Sequence, residues 1–305
     1  MTPPRWGGGC SDAMTGQWTL LGAPLDSAGE GLGEERAPQE LRSAGLGERL
    51  GLRDAGDVVA PLRDSNRDAA TGVIAASELA AASATLRDTV ANTLREDQRP
   101  FVVGGDCSLL PGALAGARVA AGPLALWMID GHPDALDGKS SPTGEAADMD
   151  LAVVLGRGAP ALTQLAGVVP IVDPEHVALL GHRPAGLGSD VAAELALVPP
   201  AVRQTTAPEL RELGAGAVAQ AALAADEERP AWLHIDLDAL DSAEFPAVSY
   251  PQPDGLSWSE LVQLMAPLLA APRLIGASLA DFDADHERSG EHAERIVSAL
   301  RQAWP

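Results

Sequence analysis

The sequence predicts an α/β protein in which helices cover both faces of a mostly parallel central sheet, a three-layer α/β/α arrangement. Three observations predict it. Short aliphatic and β-branched runs alternate with longer Ala-, Leu- and Arg-containing segments of helical period. The short runs are apolar throughout instead of alternately polar, as expected of strands buried on both faces. Acidic, histidine and cysteine residues follow directly after several of these runs, where open α/β sheets collect their ligands.

In chain order, residues 1–16 are Gly/Pro-rich and aperiodic and read as a flexible N-terminal tail, with Cys10 expected to be inert. Residues 17–305 read as one domain. Strands are expected at 18–22, 52–58, 101–104, 124–129, 177–181, 232–237 and 274–279, because each is a short apolar run bounded by polar or Gly-containing segments. Helices are expected near 38–46, 75–95, 109–120, 146–155, 209–225, 258–269 and 291–303, where apolar residues recur at helical spacing. Gly/Pro-rich stretches at 26–33, 137–144 and 245–255 read as loops within that domain, since no repeat or linker divides the chain.

Composition narrows the function. With 305 residues, 46% hydrophobic and 21% charged, the chain is neither disordered nor collagen-like and is long enough for a large core. The 43 acidic and 21 basic residues give a net charge of −22, which repels nucleic-acid backbones and anionic membranes. Lys139 is the sole lysine, so no lysine-rich patch exists. No stretch approaches the ~18 consecutive apolar residues of a membrane span, and the N-terminus lacks the apolar core of a secretory signal. Two cysteines, Cys10 and Cys107, exclude a disulfide scaffold and agree with a reducing cytoplasm.

Three clusters carry chemistry. Gly104-Gly105-Asp106-Cys107-Ser108 follows the strand at 101–104, Asp130-Gly131-His132-Pro133-Asp134 follows that at 124–129, and Asp236-Leu237-Asp238-Ala239-Leu240-Asp241 closes that at 232–237. Asp-x-His-x-Asp at a strand end directs metal-competent side chains at alternate positions towards one spot, and Asp236 and Asp238 repeat that spacing. Four converging carboxylates are costly unless cations neutralise them, and carboxylate-plus-imidazole donors suit two divalent ions that activate water. A single Asp at a strand end is ordinarily a turn or cap residue; two such motifs after two apolar strands argue otherwise.

These motifs resemble those of the ureohydrolase (arginase/agmatinase/formiminoglutamase) family, from about Leu20 to Leu300. Gly22-Ala23-Pro24, Pro38-Gln39-Glu40-Leu41-Arg42 and Asp54-Ala55-Gly56-Asp57 resemble its opening segments. Residues 104–108 resemble its Gly-Gly-Asp-His-Ser, residues 130–134 its Asp-Ala-His-x-Asp, and Asp236, Asp238 and Asp241 its Asp-x-Asp-x-x-Asp-Pro, with Ser242 for the proline. The resemblance implies an arginase-like fold and a dinuclear manganese site whose bridging hydroxide attacks a guanidinium carbon. Asp130 and Asp236 would bridge both ions, Cys107 and Asp134 would complete one, and His132 and Asp238 the other. Asp134 would also hold the hydroxide, and a trimer or hexamer is implied.

The departures bear on substrate and metal. Cys107 stands where the family has a metal-binding histidine, and a thiolate shifts preference from manganese towards zinc, nickel or iron; the alternative for Cys107 is an inert buried thiol. Ala147 replaces the proton-shuttling histidine, Glu145 an asparagine, and Leu136 and Gly186 residues that grip the amino-acid end of arginine. Asp281 stands one methylene short of the guanidinium-binding glutamate. Losing polar groups matched to a substrate costs up to about 10⁴–10⁵ in discrimination, so plain arginine is not the expected substrate.

Replacement roles fall to His234, two residues before Asp236 and on its face, as a general acid or a partner of the ligands, the alternative being a satisfied core histidine. Glu145 and Asp281 are candidates to receive a cationic group, and His182 is a candidate acid or base. Asp283 and Asp285 read as a solvated acidic loop, His176, His286 and His292 as surface residues, and Trp127, Trp232 and Trp258 as core or helix-packing residues. The leading reading is a metal-dependent hydrolase of a C–N bond in a small cationic guanidino or amidino compound, as a cytoplasmic homo-oligomer. The alternative is a degenerate member that keeps the fold, with one metal or none, and lacks this activity. A deacetylase-like amide hydrolase fits less well, because it uses one metal and another ligand pattern.

Overall fold

A computed structural model describes residues 16–31, 33–185, 189–286 and 290–305. The tail expected at 1–16, Gly16 apart, lies outside the described residues, as does Gly186. Eight strands form a single sheet: β1 Trp18–Ala23, β2 Arg53–Asp57, β3 Arg99–Gly104, β4 Ala125–Ile129, β5 Val177–His182, β6 Arg203–Thr206, β7 Ala231–Asp236 and β8 Leu274–Ala280. Their order is β2-β1-β3-β8-β7-β4-β5-β6, and every pairing is parallel.

The two faces are read from alternate residues of each strand. Leu20, Val103, Trp127, Ile129, Leu233 and Ile235 pack on one side, with helices Ala215–Ala225, Trp258–Leu269 and Glu291–Ala303. Leu21, Val102, Leu126, Met128, Leu179 and Trp232 pack on the other, with Ala76–Arg95, Leu110–Ala121 and Asp150–Val154. Trp127 and Trp232 are therefore core residues, as expected, and the half-buried Trp258 packs edge-on against Phe245.

The order of the strands builds the site. The chain lays down β3, crosses to β4 and continues outward to β6, leaving a gap that β7 and β8 fill last. Register then aligns Val103 with Leu279, Leu279 with Ile235, and Ile235 with Ile129. The segments leaving β3, β8, β7 and β4 emerge side by side at the carboxyl edge, which places residues 107, 281, 236–238 and 130–134 together.

Three local expectations need correction. β6, Arg-Gln-Thr-Thr, is a polar edge strand with no apolar run to announce it. The segment expected as one helix at 209–225 is two, Ala207–Leu213 and Ala215–Ala225, parted at Gly214, whose φ of 87° ends the first. The segment expected at 38–46 likewise divides into Ala37–Ser43 and Leu46–Leu50 around Gly45, φ 81°.

Candidate metal centre

Each motif residue is aimed by its strand end and the turn after it. β4 stops at Ile129; Asp130 Oδ1 then accepts the His132 N–H at 2.7 Å, bending the chain so that His132 and Asp134 turn inward. β7 ends at Asp236, whose Oδ1 accepts the Asp238 N–H at 2.7 Å in the same kind of turn. After β3, Asp106 caps a short 3₁₀ turn through the Ser108 N–H and also accepts the Ser27 N–H at 2.6 Å, seating Cys107. Gly105 passes so close to Leu25 that an added Cβ would lie 1.7 Å from its carbonyl oxygen. Asp134 and Asp281 sit at φ 44° and 64°, left-handed conformations that a non-glycine residue adopts at a cost of order 1 kcal/mol.

The sequence-derived ligands form two donor groups. Cys107, Asp130, Asp134 and Asp236 bring one ligand atom each within 4.8 Å of one another, and Asp130, His132 and Asp238 form a second such group. Asp130 is common to both. Asp236, Asp238 and Asp281 form a third group, so Asp236 also reaches towards the second. The Cys107 thiol donates to Asp236 Oδ2 at 2.7 Å, and His132 Nδ1 lies 2.5 Å from Asp238 Oδ2.

The electrostatics are those of a negative floor with few cations. Burial, reinforced by neighbouring carboxylates, pushes Asp130, Asp134 and Asp236 well above the usual carboxylate range and the Cys107 thiol well above its own. Burial pulls His132 down, but Asp238 outweighs it and raises the imidazole to about 9. Burial would raise Asp238 in turn, yet His132, Arg183 and the Gly131 N–H hold it below the usual range. Asp130 Oδ2 is buried with no hydrogen-bond partner. Carboxylate, imidazole and thiolate donors around such an orphaned oxygen fit divalent cations.

The remaining candidates are spread between floor and mouth. His234 is fully buried beneath the floor, neutral because burial pulls it down to about 3. Asp281 is buried, and burial with Asp238 raises it to about 7. Glu145 is half-buried and raised by burial and by Asp106, Asp26 and Glu30. Ala147 and Leu136 are half-buried. His182 is buried with Nδ1 3.0 Å from the Arg183 carbonyl and belongs to none of the donor groups named above.

Three surface readings change. Asp283 is buried, accepting from the Asp285 N–H and pairing with His286, because its loop folds back onto the site; His286 and Asp285 stay exposed. His176 is half-buried against Asp226 at 2.5 Å. His292 stacks edge-on against Phe245, 5.4 Å between centroids.

Four residues of the site escaped sequence reasoning. Glu34 is buried beside Asp281 and raised well above the usual range by burial, Asp281 and Asp106. Asp150 is fully buried, and neither carboxylate oxygen has a hydrogen-bond partner. Ser278, in the middle of β8, takes hydrogen bonds with Trp232 and His234. Arg183, also buried, donates to the carbonyls of Asp238, Leu240, Gln252 and Pro253 and so pins the loops beyond β7.

Comparison with known proteins gives a consistent picture. Residues 17–303 match the sequence profile described as Arginase family. The arginase of Bacillus caldovelox is 31% identical over 292 residues, spanning 92% of this chain and 96% of that protein. The crystal structure of that arginase superposes with a TM-score of 0.83 at 27% identity, covering 95% of this chain and 98% of that one. Formimidoylglutamase from Bacillus subtilis shares the fold, with a TM-score of 0.71 at 19% identity over 94% of this chain and 86% of that one.

Proposed function

This chain belongs to the arginase family, and on that premise we propose that it is a metal-dependent hydrolase of a C–N bond in a small cationic guanidino or amidino compound other than plain arginine. The observation that carries the reading is the pair of donor groups sharing Asp130. Cys107, Asp134 and Asp236 would hold one ion with Asp130; His132 and Asp238 would hold the other, with Asp236 reaching towards both. When bound, such ions lower the pKa of a coordinated water and supply the nucleophile. Manganese is the family's ion, and Cys107 opens the site to zinc, nickel or iron.

The chain's own residues then bind and orient. Asp134 projects into the cluster from a left-handed backbone position and is available to hold a water proton. Glu34 and Asp281 share a hydrogen bond and, with Asp106, form an acidic group that would stabilise an arriving guanidinium or amidinium. Glu145 adds a fourth carboxylate from the 141–148 loop and can carry a proton to a leaving amine. Ala147 and Leu136 offer no polar group to a substrate carboxylate, which supports a substrate without the amino-acid end of arginine. We further read residues 17–305 as one domain, acting as a homo-oligomer in the cytoplasm.

The test is bound metal per chain, by elemental analysis of protein purified without chelator and then offered Mn²⁺, Zn²⁺, Ni²⁺ or Fe²⁺. It is followed by urea or amine release from a panel of guanidino and amidino compounds. Two equivalents, with hydrolysis lost in Asp130→Ala and Asp236→Ala, are expected. One equivalent or none, with no hydrolysis under any loading, would leave a degenerate member of the family instead.

A further inference from the structure

Position 107 lacks the family's imidazole, yet an imidazole stands directly beside it. We propose that His234 Nε2 ligates the same ion as the Cys107 thiolate and Asp130, supplying from β7 the nitrogen ligand that position 107 has lost. The proposal rests on the metal-dependent reading above and names a ligand that the family pattern does not contain.

Distance supports it first. His234 Nε2 is 3.3 Å from Cys107 Sγ, and a ring nitrogen of His234, the Cys107 sulfur and an Asp130 oxygen all lie within 4.8 Å of one another. The second support is the other face of the ring. His234 Nδ1 is 2.8 Å from Ser278 Oγ, which also accepts the Trp232 indole N–H at 3.0 Å. A hydroxyl oxygen has two lone pairs, so Ser278 can accept from both rings. In the tautomer that carries the imidazole proton on Nδ1, the Nε2 lone pair faces Cys107. A ligating histidine is ordinarily oriented by such a bond at its far nitrogen.

The third support is what surrounds Nε2. Asp150 Oδ2 lies 3.7 Å from it, both groups fully buried. Both Asp150 oxygens and Asp130 Oδ2 lack any hydrogen-bond partner. If His234 merely donated an Nε2–H to the sulfur, these three oxygens would stay uncompensated. An ion held between Nε2, the thiolate and Asp130 places positive charge beside all of them. Loading releases the thiol proton now directed at Asp236, through solvent, as metal uptake by cysteine does. Sulfur, nitrogen and oxygen donors together favour zinc or cobalt over manganese.

The experiment is X-ray absorption at the zinc edge on the full chain loaded with Zn²⁺, compared with His234→Gln and Cys107→Ser. Chelator competition measures retention of the ion, and circular dichroism with thermal melting of the metal-free proteins checks the fold. Expected are one sulfur and two imidazoles per chain in the parent, one imidazole in His234→Gln, and no sulfur in Cys107→Ser. Zinc retention at one of the two ions should fall by at least about ten-fold in His234→Gln. Full zinc loading with an unchanged imidazole count in a folded His234→Gln protein overturns the proposal and leaves the metal-dependent reading standing. Failure of the parent to bind zinc, cobalt or manganese overturns both.

Discussion

The two halves of the acidic floor are compensated in opposite ways. Asp238 itself is well partnered: by His132 at 2.5 Å, by the Gly131 N–H at 3.0 Å, and by Arg183 seated against the backbone just beyond. Around Cys107 the reverse holds, with Asp130 Oδ2 and both oxygens of Asp150 lacking a donor and the one imidazole, His234, kept neutral by burial. Asp238 is accordingly held below the usual carboxylate range, whereas Asp150 is pushed well above it by burial. The family pattern is kept in the compensated half and broken, by Cys107, in the other. The difference predicts which half would gain more stability from a bound ion.

Metal loading should break the contrast most strongly. An ion that binds the folded chain alone, at about a thousand times its dissociation constant, stabilises by about 4 kcal/mol. For a chain of 305 residues that corresponds to a rise in melting temperature of roughly 6 °C. Differential scanning calorimetry of chelated and zinc-loaded protein checks it, and an unmoved transition would mean that the uncompensated half tolerates its charge without an ion.

Arg183→Met attacks the compensated half. Three carbonyls lose their donor, those of Asp238, Leu240 and Pro253, while that of Gln252 keeps the Ser242 N–H, and Asp238 loses a nearby cation. A stability loss of about 3 kcal/mol is expected from the urea midpoint, since each buried acceptor left unpaired costs on the order of 1 kcal/mol or more. A loss within experimental error would show that the 238–253 backbone is held by other contacts.

Asp150→Asn should act differently in the metal-free and metal-loaded states of the uncompensated half. Asparagine keeps the shape and cannot ionise, so the metal-free protein should gain about 2 kcal/mol at pH 8. The zinc-loaded protein should gain less or lose, because the ion then has one counter-charge fewer. Equal gains with and without zinc would place the ion away from Asp150.

The same contrast governs what the sequence could reveal. Asp130, His132, Asp134, Asp236 and Asp238 were legible because each follows an apolar strand at alternate spacing, and parallel strands carry such residues to one edge. Most of the sheet was legible for the same reason; β6 was not, because an edge strand needs no apolar face. Asp150 and Glu34 each occupy the first turn of a helical segment, where an acid is ordinary, and nothing local shows that both are buried. Ser278 and Arg183 acquire their roles only when β8 and the 238–253 segment arrive from far along the chain. His234 was placed on the face of Asp236 by spacing alone, but its contact with Cys107 spans 127 residues and depends on β7 filling the central gap.

The smallest effect tests whether the shortage of donors reaches the rim. Asp148 accepts from Ser141 Oγ at 2.6 Å, yet its Oδ1 is buried without a partner, and burial raises its carboxyl to about 7. A folded-state pKa raised above the unfolded value near 4 means that the folded chain binds this proton more tightly. The stability it provides is fully present below about pH 4 and is lost as the pH rises through 7. Asparagine at 148 can still accept from Ser141 and never ionises, so Asp148→Asn should match the parent at pH 4 and exceed it by about 1 kcal/mol at pH 8, the value discounted for partial solvent access. Urea titrations of the metal-free proteins across that range measure it. A constant difference between the two would show that Asp148 ionises freely, and that the uncompensated region ends at the floor.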